Sequence, residues 1–221
     1  PSATNIGFGQ YRWQFVAGTV AGITVEFTGR LNGLALQTST ASIRLVPGPA
    51  SITTSTVSAS PNTITVGGST STITVQLRDA FGNTITDDAD CVRLFVTSGP
   101  GSVTQVPVYA GFGTGRWTGT YTSTGTPGPV VVSAFLNPDA QPNCTFPGAG
   151  YQTILDTAQL NVIPGPAVAA QSFITSTASS VVVGQPVNFR VELRDQFNNP
   201  TTNGTVNIAI EDGGGSLTAT V

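Results

Sequence analysis

The feature that most constrains this chain is that it repeats itself. Pro47-Gly48-Pro49-Ala50 returns as Pro164-Gly165-Pro166-Ala167, 117 residues later. Val66-Gly67 answers to Val183-Gly184, and the run from Val75 to Asn83 answers to that from Val191 to Asn199, with Leu-Arg-Asp-x-Phe-x-Asn common to both. Gly101-Ser102-Val103 then matches Gly215-Ser216-Leu217. The start of the chain belongs to the other half of the same unit, because Gly7-Phe8-Gly9-Gln10-Tyr11-Arg12-Trp13 resembles Gly111-Phe112-Gly113-Thr114-Gly115-Arg116-Trp117. Self-similarity at a fixed period is the signature of stacked units. The expected organisation is a C-terminal half-unit over 1–46, a complete unit over 47–163 and an N-terminal half-unit over 164–221. Setting Val221 before Pro1 would rebuild a whole unit, and both breaks fall at one corresponding loop.

The unit is built for strands. Thr70 to Leu77 alternates polar and apolar residues, the period of a strand with one buried face, and Arg93–Val96, Trp117–Tyr121 and Val130–Phe135 behave likewise. Gly-Asn, Gly-Gly and Pro-Gly pairs punctuate them as turns. Asn83 and Asn199 are expected to close the loop after the second strand, since Asn tolerates the left-handed region. Seven or so short strands in about 100 residues predict a sandwich of two antiparallel sheets. Gly, Pro, Val and Thr interrupt every window that would favour a helix, and no apolar run approaches the roughly 18 residues of a membrane span.

At Val-Gly, the Thr/Val strand, Leu77-Arg78-Asp79-Ala80-Phe81-Gly82-Asn83 and Phe95-Val96-Thr97-Ser98-Gly99-Pro100-Gly101-Ser102, the chain resembles bacterial Ig-like repeats of the invasin/intimin type. The Pro-Gly-Pro-Ala linkers also resemble those of filamin-type repeats. The resemblance implies an all-β fold of tandem Ig-like β-sandwiches, here one complete and two half units. Its members serve as rigid spacers or adhesive modules in surface arrays. An insertion around Asn137–Tyr151 departs from the pattern.

Composition narrows the chemistry. Charged residues make up only 9% of the chain, all eight basic residues are Arg, and the net charge is −3. An electrostatic nucleic-acid binder is therefore not expected. With no His, a Ser-His-Asp triad, a papain-like pair and a His-ligated zinc site are excluded. No catalytic residue, cofactor or metal is assigned, and the chain reads as a non-enzyme. Asp87, Asp88 and Asp90, with Asp139 and Asp156 elsewhere, are the acidic candidates. Asp87-Asp88-Ala89-Asp90 lacks the spacing of a calcium loop and reads as a solvated turn. Asp79 and Asp195 read as turn-forming side chains that hydrogen-bond their own loop. Gly111-Phe112-Gly113-Thr114-Gly115 resembles a phosphate cradle, but a Trp-containing strand follows where a helix is needed. Trp13 and Trp117 occupy equivalent sites and read as core aromatics.

Cys91 and Cys144 are the only cysteines. A structural disulfide is preferred to two buried thiols on the rule that paired cysteines mark an oxidising compartment. The loops before the third and last strands share one end of such a sandwich, which makes the bridge sterically reasonable. Asn143-Cys144-Thr145 and Asn203-Gly204-Thr205 are acceptor sequences for N-linked glycan. Ser51–Ser60 is a candidate for O-linked sugar. The start at Pro1, without an initiator Met or leader pattern, reads as a mature or excised piece. The expected function is a structural subunit of an extracellular or cell-surface filament carrying covalent glycans. Its partner is itself, through head-to-tail completion of half-sandwiches or through adjacent repeats of one long array. The alternative is a surface adhesin that grips a receptor or glycan with its sandwich-end loops.

Overall fold

The computed structural model describes residues 3–86, 90–138, 144 and 150–217. Before the first linker lie two hairpins, β1 (Thr4–Gly7) with β2 (Gln10–Arg12), and β3 (Thr24–Leu31) with β4 (Leu34–Arg44). The central segment carries β5 (Thr56–Ser60), β6 (Thr63–Thr65), β7 (Thr70–Gln76), β8 (Cys91–Ser98) and β9 (Ser102–Val103). It continues with β10 (Val108–Tyr109), β11 (Arg116–Thr122), β12 (Gly128–Asn137) and β13 (Gln152–Ile163). After the second linker, β14 (Phe173–Ser176) pairs with β15 (Phe189–Glu192). No helix occurs among the described residues, so none is long and apolar enough to cross a membrane.

The central strands form two sheets. One runs β10-β11-β7-β5 with β9 also on β11, and the other runs β6-β13-β12-β8. All pairs are antiparallel except β6 with β13. The alternation seen in the sequence becomes the inner faces. Ile73 and Val75 on β7, Trp117 and Tyr121 on β11, Val130, Val132, Ala134 and Leu136 on β12 all point into one core. Each such aliphatic side chain contributes about 1.5–3 kcal/mol of burial. Every member of that core lies between Val57 and Val162.

A corner fixes the two sheets to each other. The Tyr121 hydroxyl is buried and donates to the Pro100 carbonyl. Glycine is obligatory beside it: a Cβ on Gly101 would stand 2.2 Å from Tyr121 Oη, with φ already at +104°. Gly99, at φ +88°, lies against the Pro129 carbonyl in the same way. The Ser-Gly-Pro-Gly-Ser stretch is thus a close backbone approach as well as a turn.

Candidate functional site: inter-unit joints and half-unit faces

Each linker is clasped by a buried aspartate. Asp79 Oδ1 accepts from the amides of Phe81 and Asn83, both at 2.9 Å, while Oδ2 accepts from Gly48 N at 3.0 Å and Asn83 Nδ2 at 2.9 Å. Asp195 repeats the set with Phe197, Asn199 and Gly165, at 2.9, 2.9 and 3.0 Å, and Asn199 Nδ2 at 3.0 Å. Burial by itself would raise both carboxyls. The side-chain bond from the Asn, together with the amide bonds, outweighs it and holds both below the ordinary 3.8. The neighbouring arginines close the same turn, Arg78 Nη1 donating to Gly82 O and Arg194 Nη1 to Asn198 O, each at 2.8 Å. The repeated Arg-Asp-x-Phe-x-Asn motif is therefore the same hydrogen-bonding device at both linkers.

Its Asn also reaches the chain that precedes each linker. Asn83 Nδ2 donates to Thr19 O at 2.8 Å and its Oδ1 accepts from Ala21 N at 3.0 Å. Asn199 Nδ2 donates to Gly125 O at 2.8 Å. Here the structure corrects the expected left-handed role. Gly82 (φ 84°) and Asn198 (φ 67°), one residue earlier, hold that conformation, and the Asn83 and Asn199 side chains make the bonds across the linker. At the second joint the Phe197 ring also lies on Gly67 and Gly125, where a Cβ would come within 2.7 Å of it. Phe81 remains exposed at the first, which opens as a cleft of about 230 Å³ beside Leu45, Pro47 and Asn83.

Outside the central core, several equivalent positions are uncovered. Trp117 is 7% exposed and its counterpart Trp13 60%. Val57 and Ile73 are 4% and 0% exposed, whereas Ile174 and Phe189, in the matching register of β14 and β15, are 54% and 49%. Residues 13–18 make no strand, although their counterparts 117–122 lie in β11. The reason is the missing neighbour: β11 is held by β7 along its length, and no described strand lies beside 13–18. Residues 7–10 close as a tight turn between β1 and β2. Their counterparts form a wider loop whose Gly113 N donates to Thr86 O. Trp13 thus departs from the core role expected of it, because no described strand covers it.

The other candidate residues are placed as follows. Cys91 and Cys144 are joined in a disulfide with Cα atoms 5.5 Å apart, and Arg93 Nη2 donates to Cys144 O at 2.6 Å. Asn203 is exposed; its carbonyl accepts from Ala167 N and its own N–H donates to Thr201 Oγ1. Asp90 is buried. Asp156 accepts from Val57 N and Thr157 N, both at 2.9 Å, and so ties β13 to β5. Asn143, Asp87, Asp88 and Asp139 lie outside the described residues. The Gly111–Gly115 loop leads into β11 and not into a helix. Among the described residues no cluster of three or more metal-ligating side chains forms.

Residues 51–146 match the family model described as Invasin, domain 3. The central segment is similar to Ig-like domains of the invasin type. The chain is similar to FdeC, a broadly conserved Escherichia coli adhesin, at 26% identity and a TM-score of 0.54, over 84% of this chain and 54% of that one. Yersinia pseudotuberculosis InvD shares the fold at 20% identity and a TM-score of 0.52, over 90% of this chain and 58% of that one. Invasin, a bacterial integrin-binding protein, does so at 20% identity and 0.53, over 76% and 31%. The chain spans less than two thirds of each of these structures. No curated protein matches it. The clasps lie at the two Pro-Gly-Pro-Ala linkers, one at the start of the segment that matches this family model and one after it.

Proposed function

We propose that this chain is a stretch of an extracellular, cell-surface rod of invasin-type Ig-like units, in which half-units complete one another head to tail. The observation that carries this is the contrast between equivalent positions, buried in the central unit and exposed in the halves on either side. An uncovered apolar sheet face with an open edge is an aggregation hazard unless a specific neighbour covers it. A head-to-tail contact that does not close into a ring gives an open filament. The joints support a rod, since Gly48 and Gly165 are held by charged acceptors and Asn83 and Asn199 bridge successive units. Prolines on both sides of each linker glycine restrict bending further. The chain is its own partner in this reading, and needs neither nucleic acid nor insertion into a membrane. Covalent glycans at Asn143 and Asn203 belong to the same extracellular setting.

Sedimentation of the 221-residue chain over a range of concentrations, with electron microscopy of the product, tests it. Thin, lengthening filaments are expected; a monomer at every concentration overturns completion by a second copy. The denatured mass of native material separates the two ways of joining. A species near 22.6 kDa plus glycan marks a polymer of copies, and a much larger one marks a covalent array. Similarity to the FdeC adhesin favours a second reading, in which sandwich-end loops bind a receptor or glycan. Loss of attachment to cells on deleting Asn137–Tyr151 would favour that role.

A further inference from the structure

We infer that two copies of this chain meet in one defined register, with Arg12 of one opposite Glu192 of the other as the charged pair that selects it. The inference rests on the head-to-tail reading above. The central unit supplies the template, because it contains both halves in one segment. There β7 is paired on both sides, by β5 and by β11, with Gln76 opposite Arg116 and Val75 opposite Trp117. In the N-terminal half-unit over 164–221, β15 is paired with β14 alone among the described strands. Carrying the register over places Trp13 opposite Val191 and Arg12 opposite Glu192.

A second seam follows from the same template. In the central unit β8 lies on β12, with Val96 opposite Val132 and Leu94 opposite Ala134. The counterparts of Leu94 and Val96 are Ile208 and Ile210, counted back from the shared Gly-Ser of 101–102 and 215–216. Both isoleucines are exposed and lie outside any strand. Phe27 is the counterpart of Val132, because β3 and β4 pair as β12 and β13 do. The edge of β3 away from β4 has no described strand on it, and Ile210 of the second copy would lie there beside Phe27.

The charge difference points to where selectivity is needed. Within the central unit the partner of Arg116 is a neutral Gln76, whose amide donates to the carbonyls of Thr114 and Gly115. There the chain's own connectivity brings the strands together. At the junction between copies the same place holds a carboxylate, now engaged by Arg194 and, at 3.8 Å, by Arg190. Opposite charges directly across a strand pair stabilise one register, and like charges disfavour it.

Charge exchange tests this in the full chain. R12E alone and E192R alone each set like charges face to face, and each is expected to assemble about fivefold to tenfold more weakly than the wild type. In an equimolar mixture, every junction between the two variants again joins an acid to a base. The carboxylate introduced by R12E faces the guanidinium introduced by E192R at one junction, and native Arg12 faces native Glu192 at the next. The mixture is therefore expected to recover wild-type assembly. Cysteine pairs check the register where a variant weakens its own hairpin. R12C mixed with E192C is expected to give a covalent dimer under oxidising conditions, and R12C mixed with R190C far less. If wild-type chains assemble but the mixture does not recover and R12C shows no preference for position 192, the register is overturned while head-to-tail completion stands. A wild type that stays monomeric sinks both.

Discussion

The Gly165 amide donates to Asp195 Oδ2 over 3.0 Å, the same bond at the same length that joins Gly48 to Asp79. Each carboxylate is the shared acceptor for its linker, its turn and its Asn. Replacing Asp79 by Ala leaves the N–H groups of Gly48, Phe81 and Asn83 without their shared acceptor. A loss of about 3 kcal/mol is expected for the central unit. Urea denaturation of the variant, with the midpoint compared at unchanged slope, measures it.

The same two carboxyls set a pH response. Their folded values lie below the ordinary one, so their contribution is fully present above the unfolded value of about 3.9. It is lost as pH falls through the folded values. Melting temperature is therefore expected to stay level from neutral pH to about 5 and to fall below about 4. The doubly substituted D79A/D195A chain, already less stable, should show a flatter acid limb in the same calorimetric series.

Tyr121→Phe removes the hydroxyl that reaches Pro100 O and keeps the ring in the core. A cost of about 1–1.5 kcal/mol is expected. Gly101→Ala should cost more, because its methyl group falls on that hydroxyl and its backbone is left-handed. Thermal unfolding of both variants ranks the two effects, and a Gly101→Ala chain as stable as Tyr121→Phe would contradict the close approach.

The Cys91–Cys144 bridge closes a loop of 53 residues. Its removal by the double Ser variant is expected to destabilise the central unit by about 4 kcal/mol. Thiol titration of the unfolded native chain should find no free sulfhydryl until a reductant is added.

Trp13 and Trp117 should report on opposite states of one site. In the dissociated chain, acrylamide is expected to quench Trp13 and to spare Trp117. Trp13→Phe should alter stability by no more than about 0.5 kcal/mol there. In assembled material the quenchable fraction is expected to disappear. Fluorescence on dilution follows it directly.

Much of this was legible in the chain because repetition supplies an internal control. The alternation from Thr70 to Leu77 leads to β7, and the Trp117, Val130 and Arg93 runs lie in β11, β12 and β8. What could not be read locally was whatever depends on a neighbour. Trp13 ends the same Gly-Phe-Gly-x-x-Arg-Trp run as Trp117, yet its exposure is set by strands that are not beside it. Asn83 has the look of an ordinary turn residue. Its bridging role depends on a carbonyl 64 residues away at Thr19, and only its recurrence at Asn199 in the same motif hinted at more. Gly82 and Asn198 share no side-chain type, which hid the left-handed position from a comparison of the repeats.

The pairing of β6 with β13 carries a mechanical consequence. These strands, from opposite ends of the central unit, lie side by side and run the same way, tied by Asn161 N to Asn62 O at 2.8 Å and Val66 N to Ile163 O at 3.0 Å. Pulling on the two linkers slides one strand along the other, so these bonds are strained together and not opened one after another like a zip. Under tension between the linkers the whole seam therefore resists as one and gives way in shear.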